Sequence, residues 1–225
     1  MTNVILAGNG ITANILYAYL RHDNRYKVIG FTADDAYLGK STVDELTGVG
    51  MSRLQETFAA DTCRVIMAVG YSDLNRGRES FFRRLRELGY SIETYIHPEA
   101  RIHTDRPPGI GCVILPGAVI EPHVQLGTNT MIWCNVTIAH HSTVAENCWI
   151  ASGTVISGQA KVLRNTFVGV NATVVNGITI GEYNIVGAAC LISRGTKAYA
   201  VHLARSAELF RYSSEDYVNK FEGLV

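Results

Sequence analysis

The chain has 225 residues, with 20 Lys plus Arg against 20 Asp plus Glu, which is room for two modest domains that each bury a core. This balance leaves no basic field to gather nucleic acid and no acidic excess of the kind that marks a disordered tail. The five cysteines, Cys63, Cys112, Cys134, Cys148 and Cys190, are odd in number and follow no CxxC spacing, so they read as buried thiols of a cytoplasmic protein rather than disulfides or zinc ligands.

The first twenty residues, "MTNVILAGNGITANILYAYL", lack a basic leader, and Asn3, Gly8, Asn9, Gly10, Thr12 and Asn14 interrupt them, so no signal peptide is expected. No later run is apolar and long enough to cross a bilayer. From residue 1 to about 95 strand-like and helix-like runs alternate. "NVILAGNG" is an apolar strand ending in glycines, followed by a helical pattern through Ile11, Ile15, Leu16 and Tyr19. "YKVIGF" and "RVIMAVG" supply two further strands, and an amphipathic helix is expected over residues 74 to 88. That alternation specifies a parallel sheet covered by helices. Arg76, Arg78, Arg83, Arg84 and Arg86 on the last helix read as a solvated basic face.

Gly8, Gly10 and Ala13 form GxGxxA at the strand-to-helix turn. Such a turn lets the backbone approach a ligand and aims a helix N-terminus at a phosphate, with Asn9 between the glycines. The pattern is weak alone, but its strand–turn–helix context strengthens it. Asp34 and Asp35 follow the second strand, where an acidic group meets a ribose or base edge. Gly70 and Asn75 follow the third strand at the same sheet edge, as pocket residues or as solvated loop. A full NAD domain needs more βα units than about 95 residues provide, so a nucleotide-sugar is favoured over a dinucleotide.

From residue 96 the pattern changes. Every sixth residue from Ile96 to Ile192 is aliphatic except Pro108, and four residues after these anchors the chain is mostly small or β-branched, as at Ala118, Thr130, Ser142, Cys148, Thr154 and Thr166. Hexapeptide repetition of this length marks a parallel β-helix whose triangular coils each take three hexads, with about five coils before residue 195. Between Ile114 and Ile192 the only charged side chains are Glu121, Glu146, Lys161, Arg164 and Glu182, so the flat faces suit packing against other subunits. The tail from residue 199, helix-compatible after Ser206, is expected to cap the open end.

A Gly-rich βαβ half joined by "YIHPEARI" to hexapeptide repeats resembles the PglD/NeuD group of bacterial sugar acyltransferases over nearly the whole chain. The resemblance implies a Rossmann-like domain (1–95) that holds a nucleotide-sugar, a left-handed β-helix (96–198) that binds acetyl-CoA, a C-terminal cap (199–225), and a cytoplasmic homotrimer serving surface-glycan synthesis. The fold class expected is thus α/β plus β, with a small Rossmann-like parallel α/β domain before a left-handed parallel β-helix. The left hand comes from the resemblance alone, since general chain chirality favours right-handed crossovers. The family's corner histidine, followed there by an acidic residue, corresponds to His140, which inherits the role of general base, while His141 departs from the pattern. Family members often carry an Asn seven positions earlier, at the acceptor site; here that position is Trp133, with Asn135 nearby.

Stacking arithmetic puts Gly158 one coil beyond His140, where a bare backbone N–H can approach a thioester carbonyl; in the family a glycine at this offset stabilises the oxyanion. Small residues of the later coils, Gly169, Gly187 and Ala188, are expected to line the acyl-CoA groove with Gly158. His140 could instead be a corner histidine bonded to a carbonyl, and His141 either orients it, contacts substrate or is a surface residue. His123 lies one coil before His141 and should stack on it, but the column continues to Gln159 and Gly177, so no metal is expected. The leading reading is N-acylation of a nucleotide-linked deoxyamino sugar. O-acylation of a sugar hydroxyl and a non-catalytic nucleotide-sugar scaffold remain as alternatives.

Overall fold

The structure, a computed structural model, describes residues 1–43 and 45–220. Its first part runs β1 (Thr2–Ala7), α1 (Ile11–Leu20), β2 (Tyr26–Ala33), β3 (Gly48–Gly50), α2 (Leu54–Thr57), β4 (Arg64–Met67) and α3 (Arg76–Glu87). The four strands are parallel in the order β3-β2-β1-β4. The three strands read from the sequence are present, and the edge strand β3, only Gly-Val-Gly, was too short to carry an alternation signal. The apolar stripe of α1 is Ala13, Leu16 and Leu20, and Ile11, expected inside, is 68% exposed. Chain order moves outward from β1 through β2 to β3 and then returns to β4 on the other side of β1, which opens a crevice at the carboxyl ends of β1 and β4.

The remainder is the solenoid that the hexad pattern specifies. Among the described residues it has a seven-stranded, a six-stranded and a four-stranded parallel face. Equivalent strands stand one coil of three hexads apart: Met131 pairs with Trp149, Thr137 with Val155, Thr143 with Lys161. The first strand is Tyr95–Ile96. Every anchor from Ile114 to Ile192 is at most 7% exposed; each such burial contributes ~1.5–3 kcal/mol. Left-handed residues turn the corners, as at Asn129, Asn135 and His141 with φ of 56°, 58° and 61°.

The small residues after the anchors have a specific task. Thr130, Ser142, Thr154 and Thr166 donate their hydroxyls to the carbonyls of Ala145, Ser157, Gly169 and Gly181 in the next coil, at 2.9–3.0 Å. Cys112 and Cys148 do the same with their thiols, toward Gly127 and Leu163. Burial pushes these thiols up to about 11 and about 12, respectively. All five cysteines are free, and Cys134 is only partly buried, its sulfur 3.6 Å from the Tyr19 hydroxyl.

The solenoid ends in a strand followed by the expected C-terminal helix. Val201–His202 adds a last strand beside Ile185–Val186, with Ile185 facing Val201, a shorter step than the regular coil. The tail helix α4 (Ser214–Lys220) is present but buries no residue. A helix needs an apolar stripe to lie on a surface, and Ser-Glu-Asp-Tyr-Val-Asn-Lys offers little of one. Residues 221–225 of the expected cap lie outside the described residues.

The α/β domain sits on the seven-stranded face, where Val4, Leu6, Leu16 and Leu20 share one apolar cluster with Val113, Met131 and Trp149. α3 supplies the polar part of this seam and corrects the sequence reading of its arginines. Its buried stripe is Arg78, Phe81 and Leu85. Arg78 is 1% exposed; it donates to the carbonyl oxygen of Asn129 and, at 3.0 Å, to those of Asn147 and Cys148. Beside it Asn129 donates to Asn147 at 2.9 Å, and Asn165 donates to Glu79 at 2.9 Å. The loop before α3 holds Asp73, Leu74 and Asn75 with φ of 49°, 51° and 61°. Asn75 is fully buried and turned toward the Thr166 carbonyl.

Burial holds the Arg78 guanidinium down to about 10, still protonated at neutral pH. Because the folded group titrates below the unfolded one, its burial opposes folding at neutral pH, and this cost is relieved only as pH rises through 10 toward the unfolded value. The carbonyl bonds must outweigh it. Replacing Arg78 by Met removes the charge but leaves carbonyls without a donor, at ~1–3 kcal/mol each, so a net destabilisation of about 2–5 kcal/mol is expected in urea unfolding. A variant as stable as the parent would show that desolvation cancels the bonds.

Candidate active site

The crevice at the ends of β1 and β4 is a cleft of about 540 Å³ bordered by Gly8, Gly10, Ile11, Asp34, Gly70 and Phe81. Gly8 has φ of 133°, and a side chain there would stand 2.5 Å from the Ala68 carbonyl oxygen, so β4 can lie this close only to a glycine. Gly10 is different: nothing lies within 4 Å of the place where its Cβ would be. It caps α1 without a side chain, and the N–H groups of Ile11 and Thr12 have no acceptor among the described residues. Two free amides at a helix N-terminus bordering an open glycine form an anion site. Exposed Ile11 and Tyr37, 68% and 56%, supply apolar walls to the same cleft.

Asn9 borders the cleft, but its amide donates to the Tyr37 carbonyl at 2.7 Å and its own carbonyl receives the Thr42 N–H, so it fastens the loop above the turn. Asp34 lies in the cleft wall and pairs with Arg84 of α3 at 2.7 Å. The Arg84 Nε is buried without a partner among the described residues. Two sequence expectations are corrected here. Asp35 turns away to accept the Ser52 hydroxyl at 2.6 Å, and that bond holds its carboxyl below the usual range. Asn75 does not border the cleft, because the seam with the solenoid buries it.

His140 and His141 stand at the corner between the six-stranded and four-stranded faces, after Thr137–Ile138 and before Thr143–Val144. Both are exposed, while Gly158 is buried. A Cβ on Gly158 would come within 2.6 Å of His140 Cε1 and 2.7 Å of Nε2, so the imidazole lies directly against the bare backbone, as the one-coil offset implies. The Gly158 N–H has no acceptor among the described residues. The Nδ1 atoms of His140 and His141 are 3.2 Å apart. Glu121, one coil earlier, accepts the backbone N–H of His140 at 2.8 Å. The hexad pattern does not single out Glu121; its signal is an acid one coil and one position before the histidine.

His123 and His141 meet one coil apart as expected, their rings tilted by 46° with centroids 4.6 Å apart, and His123 Nδ1 lies 3.9 Å from Asp105. Among the described residues no group of three or more His, Cys, Asp or Glu is arranged to hold a metal ion.

The other expected site residues occupy a different corner. Trp133, Gly169 and Gly187 are one column at the end of the seven-stranded face, with Asn135 and Ala188 just beyond. Trp133 is half-buried against Trp149, centroids 5.3 Å apart, and its Nε1 has no partner among the described residues. Asn135 is an exposed left-handed corner residue whose amide lies over Gly117. A side chain on Gly169 would stand 2.7 Å from the Ala188 nitrogen. Within one chain the six-stranded face therefore separates Gly169, Gly187 and Ala188 from Gly158.

Residues 109–140 match the family model of the bacterial transferase hexapeptide (six repeats). No curated protein matches the chain. A mutant of perosamine N-acetyltransferase from Caulobacter crescentus, in complex with CoA and GDP-perosamine, is similar at 24% identity and a TM-score of 0.76, covering 89% of this chain and 93% of that one. The acetyltransferase domain of PglB from Neisseria gonorrhoeae gives 21% and 0.79, covering 89% and 96%. WeeI from Acinetobacter baumannii gives 15% and 0.78, again covering 89% and 96%. At these identities the fold is what is shared: a small Rossmann-like α/β domain followed by a left-handed hexapeptide-repeat β-helix.

Proposed function

We propose that the chain is an acyl-CoA-dependent N-acyltransferase, with acetyl-CoA as the donor and the amino group of a nucleotide-linked deoxyamino sugar as the acceptor. The observation that carries this reading is the His140 imidazole lying against Gly158, whose N–H is free. That pair is a base beside an oxyanion donor, the two functions acyl transfer from a thioester requires. Perosamine N-acetyltransferase, similar in fold, binds CoA and GDP-perosamine, and the PglB domain binds acetyl coenzyme A.

In this mechanism the sugar amine attacks the thioester carbonyl and the new C–N bond forms. His140 Nε2 takes a proton from the nitrogen while the Gly158 N–H supports the oxyanion. Collapse breaks the C–S bond, and the imidazolium returns the proton to the sulfur. The free amides of α1 and the Asp34 carboxylate would hold the pyrophosphate and ribose of the acceptor in the cleft. Gly169, Gly187 and Ala188 would line the donor's groove.

The placement of the domains supports shared sites in a trimer. The α/β domain covers the seven-stranded face, whereas His140 stands at the opposite corner. An acceptor in the cleft thus has the solenoid of its own chain between it and His140, and a neighbouring chain must supply the base. A corner between two nearly uncharged faces suits that assembly.

Light scattering should report three chains, and a monodisperse monomer would remove the basis for a shared site. Asp34→Ala should weaken binding of GDP-perosamine, used as a probe, and keep acetyl-CoA affinity; equal loss of both would break the division between the domains. His140→Asn should lower kcat by ~10²–10⁴-fold with much smaller changes in the Kd of each ligand. Gly158→Ala should also lower kcat, since its methyl forces the imidazole aside. A fully active His140→Asn trimer would overturn the catalytic reading.

A further inference from the structure

The geometry of His141 toward His140 is specific. The rings are nearly perpendicular, at 83°, with Nδ1 facing Nδ1 at 3.2 Å. Two facing lone pairs or two facing N–H groups would repel at this distance, so one nitrogen donates and the other accepts. His140 Nε2 is the atom against Gly158, and a base acting there needs its lone pair on Nε2. The proton of neutral His140 then sits on Nδ1. The acceptor must be an unprotonated Nδ1 on His141.

We propose that His141 is a positioning residue that fixes the tautomer and ring orientation of His140 through this Nδ1–Nδ1 hydrogen bond. The inference rests on the reading of His140 as the base. His141 is itself held in place: its backbone N–H donates to the Pro122 carbonyl at 3.1 Å, and its ring packs at a tilt of 46° against His123, 4.6 Å between centroids. Among the described residues the titratable groups around the pair are Glu121, at the His140 amide, and His123 with Asp105 behind it. When His140 Nε2 takes the proton of the amine, the Nδ1 proton stays in the bond to His141, which then faces an imidazolium. On collapse Nε2 gives its proton to sulfur, and the pair returns to its starting state. Protonated His141 would turn a donor toward a donor and break the arrangement.

The test compares His141→Ala with His141→Asn. Asn carries an oxygen acceptor at the branch point where His carries Nδ1, and it tolerates the left-handed backbone of this position, φ 61°. With acetyl-CoA and GDP-perosamine as probes, Ala should lower kcat by about tenfold or more, less than loss of the base itself, with KM unchanged and with Asn recovering most of the loss. ¹⁵N NMR of histidine-labelled protein, recorded above the ordinary histidine titration range, reads the tautomer without any substrate. His140 should be the Nδ1–H form in the parent and shift toward Nε2–H in His141→Ala. An Nε2–H form in the parent, or a His141→Ala variant with parental kcat and tautomer, would overturn the proposal while leaving His140 as base. An active His140→Asn would instead remove the reading beneath it.

Discussion

Stacking at a fixed offset of three hexads, as between Met131 and Trp149 or Thr137 and Val155, is the constraint on which the candidate site depends. It is maintained by two local devices. Buried aliphatic anchors set the period of six, and left-handed corner residues turn the chain between flat faces. A third device ties coil to coil, the hydroxyls and thiols that donate across the interior. A buried hydroxyl without such a partner would cost ~1–3 kcal/mol, so these positions accept only small donors or small apolar residues. Under that regime residues distant in sequence have no freedom in whom they meet. His140 meets Gly158, and His123 meets His141.

The second constraint is the seam. The α/β domain is fastened by a guanidinium that has no carboxylate partner among the described residues and instead donates to three backbone carbonyls of the solenoid corner. That choice is positional rather than merely adhesive, because a planar fork with fixed donors admits few orientations. The same seam holds Asp73, Leu74 and Asn75 in left-handed conformations, which Asp and Asn tolerate but which cost of order 1–2 kcal/mol at Leu74. Contacts of Asn75 with Thr166, and of Tyr71 with Trp149 and Phe167, hold the loop there. Gly70, Ser72 and Gly77 of this segment border the cleft. The solenoid therefore shapes the wall of a pocket that belongs to the other domain.

What was legible in the sequence followed from periodicity. The anchors, the rungs, the Gly158 contact and the His123–His141 stack all come from counting in sixes and in whole coils, and the GxG turn from its place after a strand. What was not legible depends on partners that no period fixes. Arg78 looked like one of several surface arginines, although it shares one helical stripe with Phe81 and Leu85. Asp34 and Asp35 were indistinguishable by position, and only Arg84 and Ser52 decide that one faces the cleft and the other leaves it. Glu121 escaped because it meets a backbone amide rather than a side chain, one position out of the stacking register. The helix expected in the tail forms at Ser214–Lys220, but none of its residues is buried, so its sequence period carries no packing information.

The two histidines of the corner differ in what the fold asks of them. Position 141 belongs to a left-handed column with His123, Gln159 and Gly177, at φ between 60° and 69°. Three chemistries satisfy that column, so the fold asks only for tolerance of a left-handed backbone and does not itself select histidine. Position 140 belongs to a column with Pro122, Gly158 and Asn176, where the backbone has no such demand. There the imidazole is exposed, yet it requires the next coil to be stripped to glycine to make room for it. Folding alone would be served by a small residue at 140 and a side chain at 158. The reverse arrangement lays the imidazole against a bare stretch of backbone, the contact on which the proposed acyl transfer is built.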